Sequence, residues 1–138
     1  MTGGVLEGTV RRGLRMWRGI PYAAAPVGEL RFRAPAAVTP WAGIRDASEF
    51  GPIAPQDRNG QFRVRTNAPM SEDCLTLNVI APAEPGERMP VMVFVHGGAY
   101  SVGSAREIHK QGEGLVRSGG VIFVNFNYRL GALGYLDF

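Results

Sequence analysis

Val91-Met92-Val93-Phe94-Val95-His96-Gly97-Gly98-Ala99-Tyr100 is the stretch that decides the architecture of this chain. Its first five residues are an unbroken run of β-formers, without the apolar-polar alternation of a half-solvated strand. Such a run is expected of a strand covered on both faces, at the centre of a sheet. It ends abruptly in a histidine and three small residues, so a tight turn follows. A second run of the same kind, Val121-Ile122-Phe123-Val124, comes later. Residues 96–120 between the two are enough for a crossover helix, which makes the strands parallel. The pattern is that of an α/β sheet.

The crossover helix is weakly written. Glu107, Ile108, Gln111, Leu115 and Val116 give a partial apolar stripe, Gly112 and Gly114 each cost about 1 kcal/mol relative to alanine, and Gly119-Gly120 is a suitable end. Leu75-Thr76-Leu77-Asn78-Val79-Ile80 alternates as a half-buried strand does, before Pro82 and a charged turn. Val10, Leu14, Met16 and Trp17, broken by Gly8, Gly13 and Gly19, read as a β-hairpin leading into irregular chain. Pro21, Pro26, Pro35 and Pro40 forbid a helix between Ile20 and Trp41. The polar stretch 52–69 is expected to be an exposed loop. No repeat and no internal boundary divides the 138 residues.

A composition of 45% apolar and 20% charged residues is globular. The net charge of +3 invites a nucleic-acid partner. Yet Lys110 is the only lysine among 15 basic residues, and the arginines are scattered from Arg11 to Arg129 with acidic residues between them. No stripe forms, so no nucleic-acid partner is expected. Nothing approaches the apolar length of a membrane span, and Met1-Thr2-Gly3-Gly4-Val5-Leu6-Glu7 lacks the basic-then-apolar run of a signal peptide. No membrane partner and a cytoplasmic location are therefore expected. The single cysteine, Cys74, excludes an internal disulfide, fits a reducing compartment and reads as a small buried apolar residue. With His96 and His109 it has no recognised ligand spacing, so no metal site is expected.

The turn after Val95 stands where α/β sheets bind ligands, beyond the carboxyl end of a strand. Small residues there let backbone N–H groups face a guest without side-chain obstruction, and an anion or developing oxyanion suits them. Gly98 and Gly103 have the glycine spacing of a phosphate-binding P-loop, but Ser104 stands where lysine is required and Ala105 where a hydroxyl is. A dinucleotide fingerprint fails because Gly97-Gly98-Ala99 does not continue as G-x-G-x-x-G. A glycine-rich turn with no chemistry is the remaining plain alternative. Ser101 and Ser104 lie beside the loop, but neither is in a G-x-S-x-G elbow. His109, in the weak helix, is expected to be solvated.

Five segments follow one another along the chain: Gly19 to Arg33, Pro40-Trp41, Ser71 to Val79 (Ser-Glu-Asp-Cys-Leu-Thr-Leu-Asn-Val), the His96 loop, and Asn127-Tyr128-Arg129-Leu130-Gly131. In this order the chain resembles the type-B carboxylesterase family, which includes para-nitrobenzyl esterases and cholinesterases. The segment Glu72 to Asn78 is among that family's most specific signatures. The resemblance implies an α/β-hydrolase fold, of which residues 1–138 are the amino-terminal portion of a single domain, with a mixed sheet, a hairpin and irregular coil. It implies a serine carboxylesterase acting on small-molecule carboxylic esters without a cofactor. The serine, acid and histidine lie downstream in relatives and are absent here.

The resemblance also implies residue roles. Gly98 and Ala99 supply oxyanion-hole N–H groups, Gly97 allows the turn, and the nucleophile's neighbourhood supplies a third donor. His96 is structural rather than the general base. Tyr100 either lines the acyl or alcohol pocket or packs the loop. Arg31 and Glu72 form a buried salt bridge, Arg129 is structural, and Ala54 stands where the partner of Cys74 would be in cholinesterase-like members. The loop at 55–73 is then unstapled and expected to be mobile. The missing carboxyl-terminal portion is a possible partner, and without it an open apolar edge strand predicts aggregation or a molten state. Two other readings stay open: a non-catalytic binding or adhesion relative, and an inactive truncated remnant.

Overall fold

The computed structural model describes residues 3–59 and 66–136. Among these the order is β1 (Val5–Glu7), β2 (Thr9–Arg11), β3 (Leu14–Pro21), a 3-10 turn (Gly28–Leu30), β4 (Ile44–Asp46), β5 (Thr76–Pro82), β6 (Val91–Val95), α1 (His109–Gly119), β7 (Ile122–Phe126) and α2 (Gly131–Tyr135).

The hairpin forms where the sequence indicated. Arg11 stands opposite Leu14, so Arg12-Gly13 is a two-residue connection. Its φ values of 50° and 74° are the positive pair that matches the twist of the flanking strands. Further along β3 the register against β5 shifts between Trp17 and Ile20. There the N–H of Arg18 donates to the Ala47 carbonyl (2.7 Å) and that of Gly19 to Asn78 Oδ1 (3.1 Å), so the bulge ties the hairpin to its surroundings.

The main sheet runs β2-β3-β5-β7-β6, with β6 and β7 parallel and the other neighbours antiparallel. The expected parallel pair and its crossover helix are both present. A second, two-stranded sheet pairs β1 with β4 in parallel. The sequence pattern gave no sign of it, because three-residue strands carry too little period to read.

The expectation that β6 is central and covered on both faces is corrected. It is the edge of the five-stranded sheet, and Val91 to Val95 are all exposed, from 37% at Phe94 to 58% at Val95. Its composition is that of a covered strand, but among the described residues only β7 lies beside it.

On one side α1 packs on the sheet around Leu14, Met16, Ile80, Val116 and Phe123. The helix ends at Gly120, whose φ of 60° is the left-handed cap anticipated for Gly119-Gly120. Its buried positions are His109, Gly112 and Val116, while Leu115 is exposed. The expected stripe is thus rotated, and His109, expected in solvent, is buried. Gly112 explains the rotation: a Cβ there would meet the Phe123 ring at 2.4 Å, so the missing side chain lets helix and strand approach.

A second cluster, Ala23, Ala54, Cys74, Leu75 and Leu130 with Tyr22 and Tyr128 against it, lies under the early coil. Burial raises the Cys74 thiol to about 11, an inert thiol. Stretch 52–69 is not simply an exposed loop, since Ile53, Ala54 and Ala68 are buried and Ile53 bridges to Met70. The mobility expected at 55–73 falls partly on 60–65, outside the described residues. No described helix is long and apolar enough to cross a membrane.

Candidate active site

β6 ends at Val95 and delivers His96, Gly97, Gly98, Ala99 and Tyr100 to one rim of the sheet. The backbone there departs from ordinary conformations at three successive residues: φ is 122° at Gly98, 50° at Ala99 and 60° at Tyr100. For the two non-glycine residues this costs of order 1 kcal/mol each, so surrounding bonds must hold it. The N–H groups of Ser101 and Val102 both donate to the Gly98 carbonyl, at 3.0 and 3.1 Å, and the N–H of Gly131 donates to the Tyr100 carbonyl at 2.7 Å.

The N–H groups of Gly98 and Ala99 donate to no acceptor among the described residues, and both residues are exposed. They border an open hollow of about 480 Å³ lined by Val95, His96, Tyr100, Phe126, Tyr128 and Tyr135 together with Gly97 to Ala99. Two adjacent free donors beside an aromatic wall can stabilise one anionic oxygen. Tyr100 is 63% exposed and its ring lies 4.8 Å from that of Tyr135, so it lines the hollow and also packs on a neighbour.

The turn role given to Gly97 belongs to Gly98. A Cβ on Gly97 would meet nothing within 4 Å and its φ is not positive, whereas one on Gly98 would stand 1.8 Å from the Val102 carbonyl oxygen. Gly97 instead keeps a wall of the hollow low.

His96 is buried, and its ring stacks on Tyr128 with centroids 4.2 Å apart. Its Nδ1 lies 2.9 Å from the Gly97 carbonyl oxygen, so that nitrogen carries the proton, and the Tyr128 hydroxyl donates to the His96 carbonyl at 2.5 Å. Burial holds its pKa below the ordinary histidine value, so the ring is neutral. Neither nearby serine is paired with it. The Ser101 hydroxyl donates to the Ala99 carbonyl at 3.1 Å, and the Ser104 hydroxyl is fully buried without a hydrogen-bond partner among the described residues.

Three amide side chains to which the sequence reading gave no role hold the far end of the loop. Gln56 bonds both backbone groups of Gly103, accepting from its N–H (2.8 Å) and donating to its carbonyl (3.0 Å). Asn125 and Asn127 do the same for Ala105, through its carbonyl (2.7 Å) and its N–H (2.9 Å). Asn78 donates to Asn125 at 2.9 Å, so the chain of amides continues into β5. The signal for Asn125 and Asn127 was two amides at strand spacing inside and just after an apolar run. Gln56 left no local signal.

Arg31 and Glu72 meet as a bidentate pair at 2.6 and 2.7 Å, and the hydrogen bond to Arg31 holds the Glu72 carboxyl below the ordinary range. The pair is not buried as the resemblance implied: its side chains are 45% and 25% exposed. Arg129 donates to the Arg33 carbonyl at 2.9 Å, tying the coil to the segment before α2. Among the described residues no group of three or more His, Cys, Asp or Glu side chains is placed to hold a metal ion.

The profile of the carboxylesterase family matches residues 1–138. The chain is 44% identical over 134 residues to the para-nitrobenzyl esterase of Bacillus subtilis (strain 168), covering 96% of this chain and 27% of that one. It is 42% identical over 139 residues to the phenmedipham hydrolase of Pseudarthrobacter oxydans, covering 98% and 28%. Among solved structures, a thermophilic para-nitrobenzyl esterase superposes with a TM-score of 0.91 at 41% identity, covering 99% of this chain and 28% of its own. A Geobacillus stearothermophilus carboxylesterase gives 0.82 at 39% identity, covering 95% and 26%. The chain thus spans about a quarter of the length of these relatives, whose α/β-hydrolase fold it shares. With a family profile matched from end to end and a sheet that superposes on solved members, this chain belongs to the carboxylesterase family.

Proposed function

We propose that this chain is the part of a serine carboxylesterase that carries the oxyanion hole. The observation behind this reading is the pair of N–H groups at Gly98 and Ala99, without an acceptor among the described residues, in a loop that borders a hollow with an aromatic wall at the carboxyl end of β6. Ester cleavage passes through a tetrahedral intermediate whose former carbonyl oxygen is anionic. Donors fixed beforehand stabilise that charge without reorganisation, and each contributes about 10²- to 10³-fold in rate. The 138 residues contain no G-x-S-x-G, so the nucleophile, its base and the supporting acid come from residues outside this chain, as does the third donor. The substrate is a small carboxylic ester. The single, buried, unpaired thiol of Cys74 supports a reducing compartment, and we place the protein in the cytoplasm.

The test is to express the full-length product of the gene and assay it on a short-chain nitrophenyl ester, with a fluorophosphonate to label an active serine. Turnover and stoichiometric labelling are expected. A folded product with neither would overturn the esterase reading and leave a non-catalytic relative.

A further inference from the structure

We infer that Gln56 is a positioning residue for the oxyanion loop: its side-chain amide locks Gly103, and Gly103 fixes the backbone that carries the N–H groups of Gly98 and Ala99. The kinetic part of this inference rests on the esterase reading; the structural part does not.

The amide of Gln56 uses both donors and one acceptor. Nε2 donates to the carbonyls of Ala54 and Gly103, each at 3.0 Å, and Oε1 accepts the N–H of Gly103 at 2.8 Å. The opposite amide orientation would set NH₂ against an N–H and an oxygen against two carbonyls, so the assignment follows from the partners. One end of the clamp is firm, because Ala54 is buried in the cluster with Cys74, Leu75 and Leu130.

The other end is where the loop is tightest. Gly103 is buried with φ 116°, and a Cβ on it would stand 2.5 Å from both the Gly97 carbonyl oxygen and His96 Nδ1. Its backbone therefore lies flush against the base of the loop. The preceding residue, Val102, donates its N–H to the Gly98 carbonyl and sets its own carbonyl against Gly98. A displacement of Gly103 is thus passed to Gly98 on both sides, through Val102 and through Gly97. Without the clamp, a buried N–H and a buried carbonyl lose their partners, and the strained residues Ala99 and Tyr100 lose a restraint.

The experiment uses the full-length product of the gene, as wild type, Gln56→Met, Gln56→Glu and the control Arg58→Met. Arg58 holds the same segment through the carbonyls of Thr66 and Ala68, and among the described residues it makes no hydrogen bond to the loop. Amide hydrogen exchange at Gly103, Ser101 and Val102 is measured beside ester kinetics. Gln56→Met is expected to speed exchange at Gly103 at least about tenfold and to lower kcat roughly 10- to 100-fold with KM nearly unchanged. Arg58→Met is expected to leave both alone.

Gln56→Glu keeps the acceptor but sets a carboxylate against two carbonyls. Its loss is expected to recede, relative to wild type, as acid protonates the introduced group and restores a donor. This variant carries the test if Gln56→Met fails to fold. Unchanged exchange at Gly103 in the Gln56 variants overturns the clamp. Faster exchange with unchanged kcat, or an equal fall in Arg58→Met, overturns the positioning role. A wild type without turnover defeats the esterase reading alone, and the exchange data still decide whether Gln56 holds the loop.

Discussion

Gly98 and Val102 close the candidate loop on each other: the N–H of Val102 donates to the Gly98 carbonyl at 3.1 Å, while its carbonyl oxygen occupies the space where a Gly98 side chain would begin. The two residues form a reciprocal contact that leaves no room for a methyl group. Everything between them, including the strained pair Ala99 and Tyr100, is held in that closure.

Gly98→Ala should therefore displace the loop and, on the proposed esterase reading, lower ester turnover by the full-length product at least about 10²-fold, the effect of losing one oxyanion donor. Gly97→Ala has ordinary φ and open space, so its stability should stay within about 0.5 kcal/mol of wild type. Kinetics and urea denaturation of the two variants side by side check this. Equal damage from both would mean that the turn is not governed by Gly98.

In α1 two glycines that look alike in sequence should behave oppositely. Gly114 faces open space, so Gly114→Ala should stabilise by up to about 1 kcal/mol through helix propensity. Gly112→Ala gains the same propensity but drives a methyl into Phe123, which is 1% exposed. Overpacking of about 1–3 kcal/mol exceeds that gain, so the variant should lose stability. Thermal melts give the signs directly.

His109 is buried beside Arg18, whose Nη2 lies 3.3 Å from its Nε2, and against the edge of Phe50. Burial first and Arg18 second lower its pKa to about 4, with Glu113 opposing. Between that value and the ordinary 6.5 the unfolded chain binds a proton that the folded chain refuses, so stability falls as pH is lowered through this window. By pH 5 the loss is at most about 2 kcal/mol. His109→Gln should flatten the difference in urea midpoint between pH 7 and pH 5. An unchanged difference would mean that other groups set it.

Ala54 and Cys74 share one buried cluster, at 1% and 0% exposure. Ala54→Cys should therefore form a disulfide with Cys74 on oxidation, closing the segment between them and adding about 3 kcal/mol if the geometry is unstrained. Mass spectrometry and melts with and without reductant test this. Two thiols that remain free under oxidant would show that the cluster does not bring them to bonding distance.

The sheet was readable because its evidence is local. An apolar run ending in small residues, a second run after a crossover and a glycine-punctuated hairpin each fix a strand without knowledge of the rest. What escaped depends on contacts between residues far apart in the chain. His109 is buried because Arg18 and Phe50 arrive from much earlier in the chain, and the stripe on α1 turned because Gly112, read as a weakness, is where the helix lies too close to Phe123 for a side chain.

β6 was misplaced for a related reason. Composition reports how a strand is to be covered but not which residues cover it, and β7 alone flanks it among those described. In the loop, composition marked where backbone donors gather. It did not divide the work between Gly97 and Gly98, because that depends on φ and on the position of the Val102 carbonyl.

Asn78 and Asn125 face each other across β5 and β7 in register, bonded at 2.9 Å and almost wholly out of solvent. A slip of one residue between the two strands would leave the amides on opposite faces of the sheet and break the bond between them. The pair thus marks one register out from its neighbours, and in that register Asn127 Oδ1 accepts the N–H of Ala105, where the chain returns from the loop.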